Sequence, residues 1–288
     1  MPVFYSERNP AMFTLFLIMD HFRGQNVIRH FSKHYPNYII DCIISKDFPS
    51  LSPFPDFSLA LCDRDREIRR ARQANIPVIA LAHESNRQES LMGTPWLVLD
   101  TEALTPDFLK EVYCRFFRLP LRILETGRCL VRELHAPDLP FLCTLQEENA
   151  NNPEGCFFPA SCPDPASFLE EYTAHQYAFY GYGLYGIFSK RSGEFMGIAG
   201  FSPLDGEQVE IGYSLLKKWQ DQKIASEILP PLLSCGRRDF DFQNIVARIP
   251  EGNLASRKLA QKNGLKIITE TSDDSKKDSK NSSHPQKS

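Results

Sequence analysis

Two groups of residues in the last third of the sequence have the types and spacing to do chemistry. In the first, Val209-Glu210-Ile211-Gly212-Tyr213-Ser214-Leu215 runs into Trp219-Gln220-Asp221-Gln222-Lys223-Ile224-Ala225. The alternating pattern of the first run reads as a strand, and the second run opens a helix. A strand feeding a helix N-terminus suits a phosphate group, because unpaired backbone N–H groups converge there and the helix dipole favours negative charge. Lys217, Lys218 and Lys223 add positive charge at this point, and Asp221 opposes it. Strand alternation puts Glu210, Gly212 and Ser214 on one face, with Val209, Ile211, Tyr213 and Leu215 on the other. Glu210 is a carboxylate that could accept a proton. It reads equally as an exposed strand carboxylate or a member of an ion pair. The second group is Asn253-Leu254-Ala255-Ser256, followed by Lys262-Asn263-Gly264-Leu265. There Asn253 suits a helix N-cap and Gly264 the matching C-terminal cap.

Over about residues 129–269 these ordered motifs resemble the core of the GNAT superfamily of N-acetyltransferases, in particular the branch that acetylates ribosomal-protein N-termini. The resemblance implies transfer of an acetyl group from acetyl-CoA to a primary amine. The family's cofactor loop is Gln/Arg-x-x-Gly-x-Gly/Ala. Here Gln220 and Ala225 fit, and Lys223 stands at the glycine. Cofactor binding is thereby implied for Ser214, Leu215, Gln220, Gln222, Lys223, Ile224, Ala225, Asn253 and Ser256. Catalytic roles are implied for Glu210 as base and for Ser214, where backbone N–H groups near Ser214–Leu215 would polarise the thioester carbonyl. The family often carries an acid for the departing thiolate in its last helix, and Leu259-Ala260-Gln261 offers none. The family also inserts one more strand, after that helix, between the two preceding strands. None is visible here, because the chain from Glu270 lacks large apolar residues and 271–288 reads as a disordered polar tail. The leading expectation is a working N-acetyltransferase. The alternative is a sensor or assembly module of the same fold that binds CoA weakly or not at all, favoured by Lys223 and the absent strand.

The elements that must position these residues follow from the rest of the pattern. A strand at Cys129–Leu134 leads into a helix opened by His135–Asp138, a loop over Asn149–Asp164 and a helix at Ser167–His175. Strands at Tyr182–Ser189, Phe195–Phe201 and Gln208–Leu215 form an antiparallel meander. A helix over Ile224–Arg238 follows, and Pro230-Pro231 should kink or restart it. Asn244–Ile249, Leu254–Lys262 and Leu265–Thr269 read as strand, helix and strand.

Residues 1–118 alternate strand and helix, with near-continuous apolar strands at Phe13–Met19, Tyr38–Ile44, Phe57–Leu61, Ile76–Leu81 and Trp96–Leu99. This predicts a Rossmann-like, three-layer α/β domain around a parallel sheet. Residues 119–127 read as a linker, and 128–270 as the GNAT-like domain, a mixed, mostly antiparallel sheet flanked by helices. Phe57–Asp100 resembles the later half of haloacid-dehalogenase-like domains. Those enzymes need an Asp-x-Asp pair after their first strand, and Met19-Asp20-His21-Phe22 has one aspartate only. Asp20 is expected to cap the next helix, and the domain to be a scaffold, a sensor or a homodimer surface.

The net charge of −3 gives no basic footprint for nucleic acid. No run of about 18 apolar residues suggests a membrane span, and Met12–Met19 is too short and lacks a basic lead for a signal peptide. The eight cysteines form no Cys-x-x-Cys pair, so no metal site is expected and the thiols read as those of a cytoplasmic protein. The expected partner is an amine-bearing small molecule or a protein N-terminus.

Overall fold

The computed structural model describes residues 13–49, 54–149, 156–159, 161–204 and 208–268. The expected polar tail, and residues 150–155 and 160 of the expected Asn149–Asp164 loop, lie outside them. The chain forms two compact units that meet between Leu119 and Pro120.

The first unit runs β1 (Phe13–Ile18), α1 (His21–His34), β2 (Ile40–Ser45), β3 (Ser58–Cys62), α2 (Asp65–Gln73), β4 (Val78–Leu81), β5 (Leu97–Val98) and α3 (Pro106–Phe116). Its five strands are all parallel, in the order β2-β1-β3-β4-β5. All six residues of β1 are buried, because each face packs on its own core. Leu15 and Leu17 join Val27, Phe31, Leu109 and Val112 from α1 and α3. Phe16 and Ile18 join Ile68 and Ala71 from α2. This is the expected three-layer arrangement. Asp20 caps α1, accepting the Arg23 N–H at 3.0 Å.

The second unit runs β6 (Arg122–Glu125), β7 (Cys129–Glu133), α4 (Leu139–Glu148), α5 (Pro165–Glu171), α6 (Tyr177–Tyr180), β8 (Leu184–Ser189), β9 (Phe195–Pro203), β10 (Gln208–Leu215), α7 (Ile224–Asp239), β11 (Asn244–Arg248), α8 (Leu254–Lys262) and β12 (Lys266–Ile268). One seven-stranded sheet results, in the order β12-β11-β10-β9-β8-β7-β6. Strands β6 to β10 are antiparallel to their neighbours, and β10, β11 and β12 are parallel. One face carries Val209, Ile211 and Leu215 against α7 and α8. The other packs Leu134, Phe188 and Ile198 on α4 and α5.

Three expectations need correcting, and the place of the extra strand can be stated. The linker at 119–127 contains β6, which pairs with β7 and leans Ile123 and Leu124 on the core. Only two apolar residues between Arg122 and Glu125 made a weak strand signal. Helix α7 passes Pro230 and Pro231 without a break. Its buried residues Ile224, Ile228, Leu229, Leu232 and Leu233 hold one face on the sheet, while Pro230 faces solvent, where water can satisfy the carbonyl left without its amide. The place of the extra strand is closed directly, because β11 pairs with β12 at Val246↔Lys266, Ala247↔Ile267 and Arg248↔Ile268. The helix expected at Ser167–His175 extends to Tyr180 through a π-helical stretch, Tyr172–Gln176. That wider turn brings two tyrosines five residues apart onto one residue of β8. The Tyr172 hydroxyl accepts the Leu184 N–H at 2.7 Å, and Tyr177 donates to the Leu184 carbonyl at 2.5 Å.

Candidate active site

The site is built where β10 parts from β11. The two strands pair only at Gln208↔Asn244, Val209↔Ile245 and Glu210↔Val246. On its other side β10 stays in register with β9 as far as Leu215↔Gly197. A Cβ at Gly197, whose φ is +153°, would collide with the Ser214 carbonyl oxygen, so only glycine allows this approach. The Gln208 carbonyl accepts from Leu204 at 3.1 Å and the Leu216 N–H donates to Met196 at 3.0 Å. Even-numbered residues of β10 therefore direct their backbone groups at β9, and Ile211, Tyr213 and Leu215 direct theirs into the widening gap. Ser214 lies in the β9 ladder opposite Ile198 and is 9% exposed, so the peptide group facing the gap at this level is that of Leu215.

Side chains cross the gap at two levels. Glu210 and Arg248 form an ion pair at 3.7 Å, with side chains 23% and 27% exposed. Further along, the Tyr213 hydroxyl donates to Ser256 Oγ at 2.9 Å. Burial raises the Tyr213 hydroxyl above the ordinary tyrosine range, and its bond to Ser256 offsets part of this. Between them lies a cavity of about 90 Å³, lined by Glu210, Tyr213, Arg248, Asn253, Ser256 and Ala260 among others. Ligand pockets usually start at about 300 Å³, so this cavity encloses only a small part of an extended ligand.

Asn253 caps α8, its side-chain oxygen accepting the Ser256 N–H at 3.1 Å. The helix closes in a Schellman motif. Leu265 N–H bonds the Ala260 carbonyl and Gly264 N–H that of Gln261, both at 3.0 Å, with Gly264 at φ +68°.

The other half of the site is the turn after β10. Gln220 returns its side-chain amide to the Leu215 carbonyl at 2.9 Å, and Gln222 bonds the Lys218 carbonyl at 2.6 Å. Lys223 is the N-cap of α7 and adopts φ 61°, ψ 19°, the left-handed conformation for which the loop pattern uses glycine. Asp221 is left-handed too, at φ 57°. No side chain caps the helix, so the amides of its first turn, from Ile224 and Ala225 onward, point at the space before it. Ile224 itself is buried and anchors the turn. Lys218 pairs with Glu194 at 3.1 Å, while the Lys223 side chain is exposed.

Glu210, Asn253 and Ser256 thus share one cavity. Ser214, Leu215 and the residues from Gln220 to Ala225 do not line it. Sequence reasoning missed Arg248, because the register that sets it beside Glu210 is not written in either strand. It also missed Glu148, which accepts the Lys217 N–H at 2.6 Å across 69 residues, and the bond between Tyr213 and Ser256. Among the described residues, no group of three or more His, Cys, Asp or Glu side chains could hold a metal ion. No helix among them is long and apolar enough to cross a membrane.

Residues 128–266 match the family of acetyltransferase (GNAT) domains. The second unit therefore carries a GNAT acetyltransferase domain. The chain is 34% identical over 89 residues to the uncharacterized protein YkkB of Bacillus subtilis (strain 168), a match covering 30% of this chain. It spans about half the length of that curated relative, 52%. It is also similar to the solved acetyltransferase of Agrobacterium tumefaciens str. C58, with 21% identity, a TM-score of 0.42, and 49% of this chain and 81% of that chain covered. A RimL ribosomal L7/L12 alpha-N-protein acetyltransferase in complex with coenzyme A gives 22% identity and a TM-score of 0.43, covering 50% of this chain and 82% of that chain.

Proposed function

We propose that the second unit is an acyl-CoA-dependent N-acetyltransferase acting on a primary amine, either a protein N-terminus or a small amine, in the cytoplasm. One observation carries this reading. The outward peptide groups of Ile211, Tyr213 and Leu215 lead along the gap toward the uncapped first turn of α7. An amide-bearing arm added beside β10 finds strand-like partners there, and a diphosphate finds the amides of Ile224 and Ala225. Lys223 keeps the backbone shape of a glycine and adds a cation. Gln220 and Gln222 brace the turn, and Asn253 and Ser256 close the far wall. These residues fit acetyl-CoA, which would supply the activated acyl group.

Glu210 is the proposed base. Its ion pair with Arg248 holds the carboxylate on the gap, within reach of a proton taken directly or through water. The outward Leu215 N–H is the proposed donor to the acyl oxygen, with Ser214 fixing it through the β9 ladder. Thiol release from acetyl-CoA, measured over a panel of amines and free-N-terminus peptides, tests the assignment. Glu210→Gln should lower turnover by about 10²-fold or more. Unchanged turnover in that variant would remove Glu210 from the mechanism.

A second reading, a sensor or assembly module that binds CoA weakly or not at all, is favoured by the Lys223 side chain and the Asp221 carboxylate beside the phosphate position. Lys223→Gly separates the two. A gain in affinity marks a pocket that the lysine obstructs, and continued absence of binding marks a lost site.

A further inference from the structure

The face of β10 turned away from α7 and α8 carries its own pattern. Ser214 lies opposite Ile198, which packs on the α4 and α5 side, so Glu210, Gly212 and Ser214 look that way. On β11, Ile245 and Ala247 join the core that packs α7, which leaves Arg248 on the Glu210 side. The parallel register that ends at Glu210↔Val246 would set Gly212 beside Arg248. The backbone at Gly212 is not left-handed, and a Cβ built on it meets nothing within 4 Å among the described residues. Neither conformation nor crowding calls for glycine there. The residue opposite on β9 is Gly200, so two neighbouring strands are bare at this level. A floor without side chains is thus bordered by one carboxylate, Glu210, and one guanidinium, Arg248.

The two charges stand 3.7 Å apart, farther than the roughly 2.8 Å of a direct charge-assisted hydrogen bond. A ligand that enters between them must present opposite charges that are themselves neighbours. An α-amino acid does so, with ammonium and carboxylate on one carbon. As its ammonium meets Glu210, its carboxylate gives Arg248 the charge that Glu210 gave, in a shape that suits the planar guanidinium fork. A diamine would bring a second cation toward Arg248, and a peptide N-terminus only a neutral carbonyl.

We propose that the acceptor is a free α-amino acid, held over Gly212 with its ammonium on Glu210 and its carboxylate on Arg248. The inference rests on the acetyltransferase reading above and narrows its acceptor. Arg248 determines specificity, and Gly212 leaves room for the acceptor.

The test measures thiol release from acetyl-CoA by the full chain, with the common α-amino acids, their α-carboxamides, peptides beginning with the same residues, and aliphatic diamines. The carboxamides are weaker bases with more free amine at neutral pH, so intrinsic reactivity favours them over the acids. The chain should instead favour the acids, by about 10- to 100-fold in kcat/KM, the worth of a hydrogen bond between charged groups. Arg248→Gln should abolish that preference, chiefly by raising KM for the acids, and Arg248→Lys should keep part of it. The ratio of acid to carboxamide is decisive, because a change confined to Glu210 moves both alike. Gly212→Val suits a strand and fills the open space, so it should raise KM for the acids while acetyl-CoA still binds. It keeps the test decisive if Arg248→Gln fails to fold. Equal rates with acids and carboxamides, faster rates with peptides or diamines, or an acid preference that survives Arg248→Gln would overturn the inference and leave the acetyltransferase reading standing. No thiol release with any of these amines would overturn both.

Discussion

Glu148, the last residue of α4, accepts the backbone N–H of Lys217 at 2.6 Å. A carboxylate from one side of the sheet thereby fixes the turn that feeds the N-terminus of α7. The bond is charge-assisted and worth about 2 kcal/mol. Glu148→Ala should weaken acetyl-CoA binding roughly tenfold by loosening that turn, while Glu148→Gln, which keeps an acceptor, should weaken it less. Calorimetric titration of the two variants checks the order.

Lys223 holds a left-handed backbone at φ 61° that costs a non-glycine residue about 1 kcal/mol. Lys223→Gly should stabilise the second unit by up to about that amount, less the entropy glycine adds to the unfolded chain. Lys223→Ala, which removes the cation and keeps the strain, should not. Thermal denaturation distinguishes them.

Pro230 and Pro231 remove two amides from the interior of a sixteen-residue helix. Pro230→Ala, on the solvent face, should raise stability by about 1 kcal/mol, the restored hydrogen bond outweighing the looser unfolded chain. A loss of stability would show that the prolines are needed for the path of α7.

Asp138 is 2% exposed and receives Arg132 through both oxygens at 2.8 Å, with His135 Nδ1 also at 2.8 Å. Burial alone would raise its pKa, but the bonds from Arg132 and His135 win and hold it below the usual carboxylate value. A depressed folded pKa contributes stability that is present above the unfolded value, about 4, and is lost as pH falls through the folded one. Acid unfolding of the second unit should therefore steepen below about pH 4. Asp138→Asn should flatten that limb and cost about 3 kcal/mol at neutral pH, since it leaves Arg132 without its charge partner.

Much of this architecture was legible because its signals are local. The six apolar residues of β1, the alternation of β10 and the Asn253 and Gly264 caps each announce themselves within one element. What stayed hidden depends on partners far along the chain. β6 is a strand because β7 pairs with it. The π-helical stretch reflects two tyrosines meeting Leu184. Arg248 reaches Glu210 only through the parallel register of β10 and β11, and the direct pairing of β11 with β12 depends on where α8 sets the chain down. The loop at Lys223 shows the converse. The residue type argued against the glycine-like turn, and the backbone adopts it nonetheless, because Ile224 buried in the core and Gln220 bonded to Leu215 fix both ends.

The central claim is that the gap between β10 and β11, with the first turn of α7, is a working acetyl-CoA site. Calorimetric titration of the full chain with acetyl-CoA tests it most directly. Micromolar binding, weakened by Glu148→Ala, is the result expected. No heat of binding at millimolar cofactor, in the wild type or in Lys223→Gly, would contradict it.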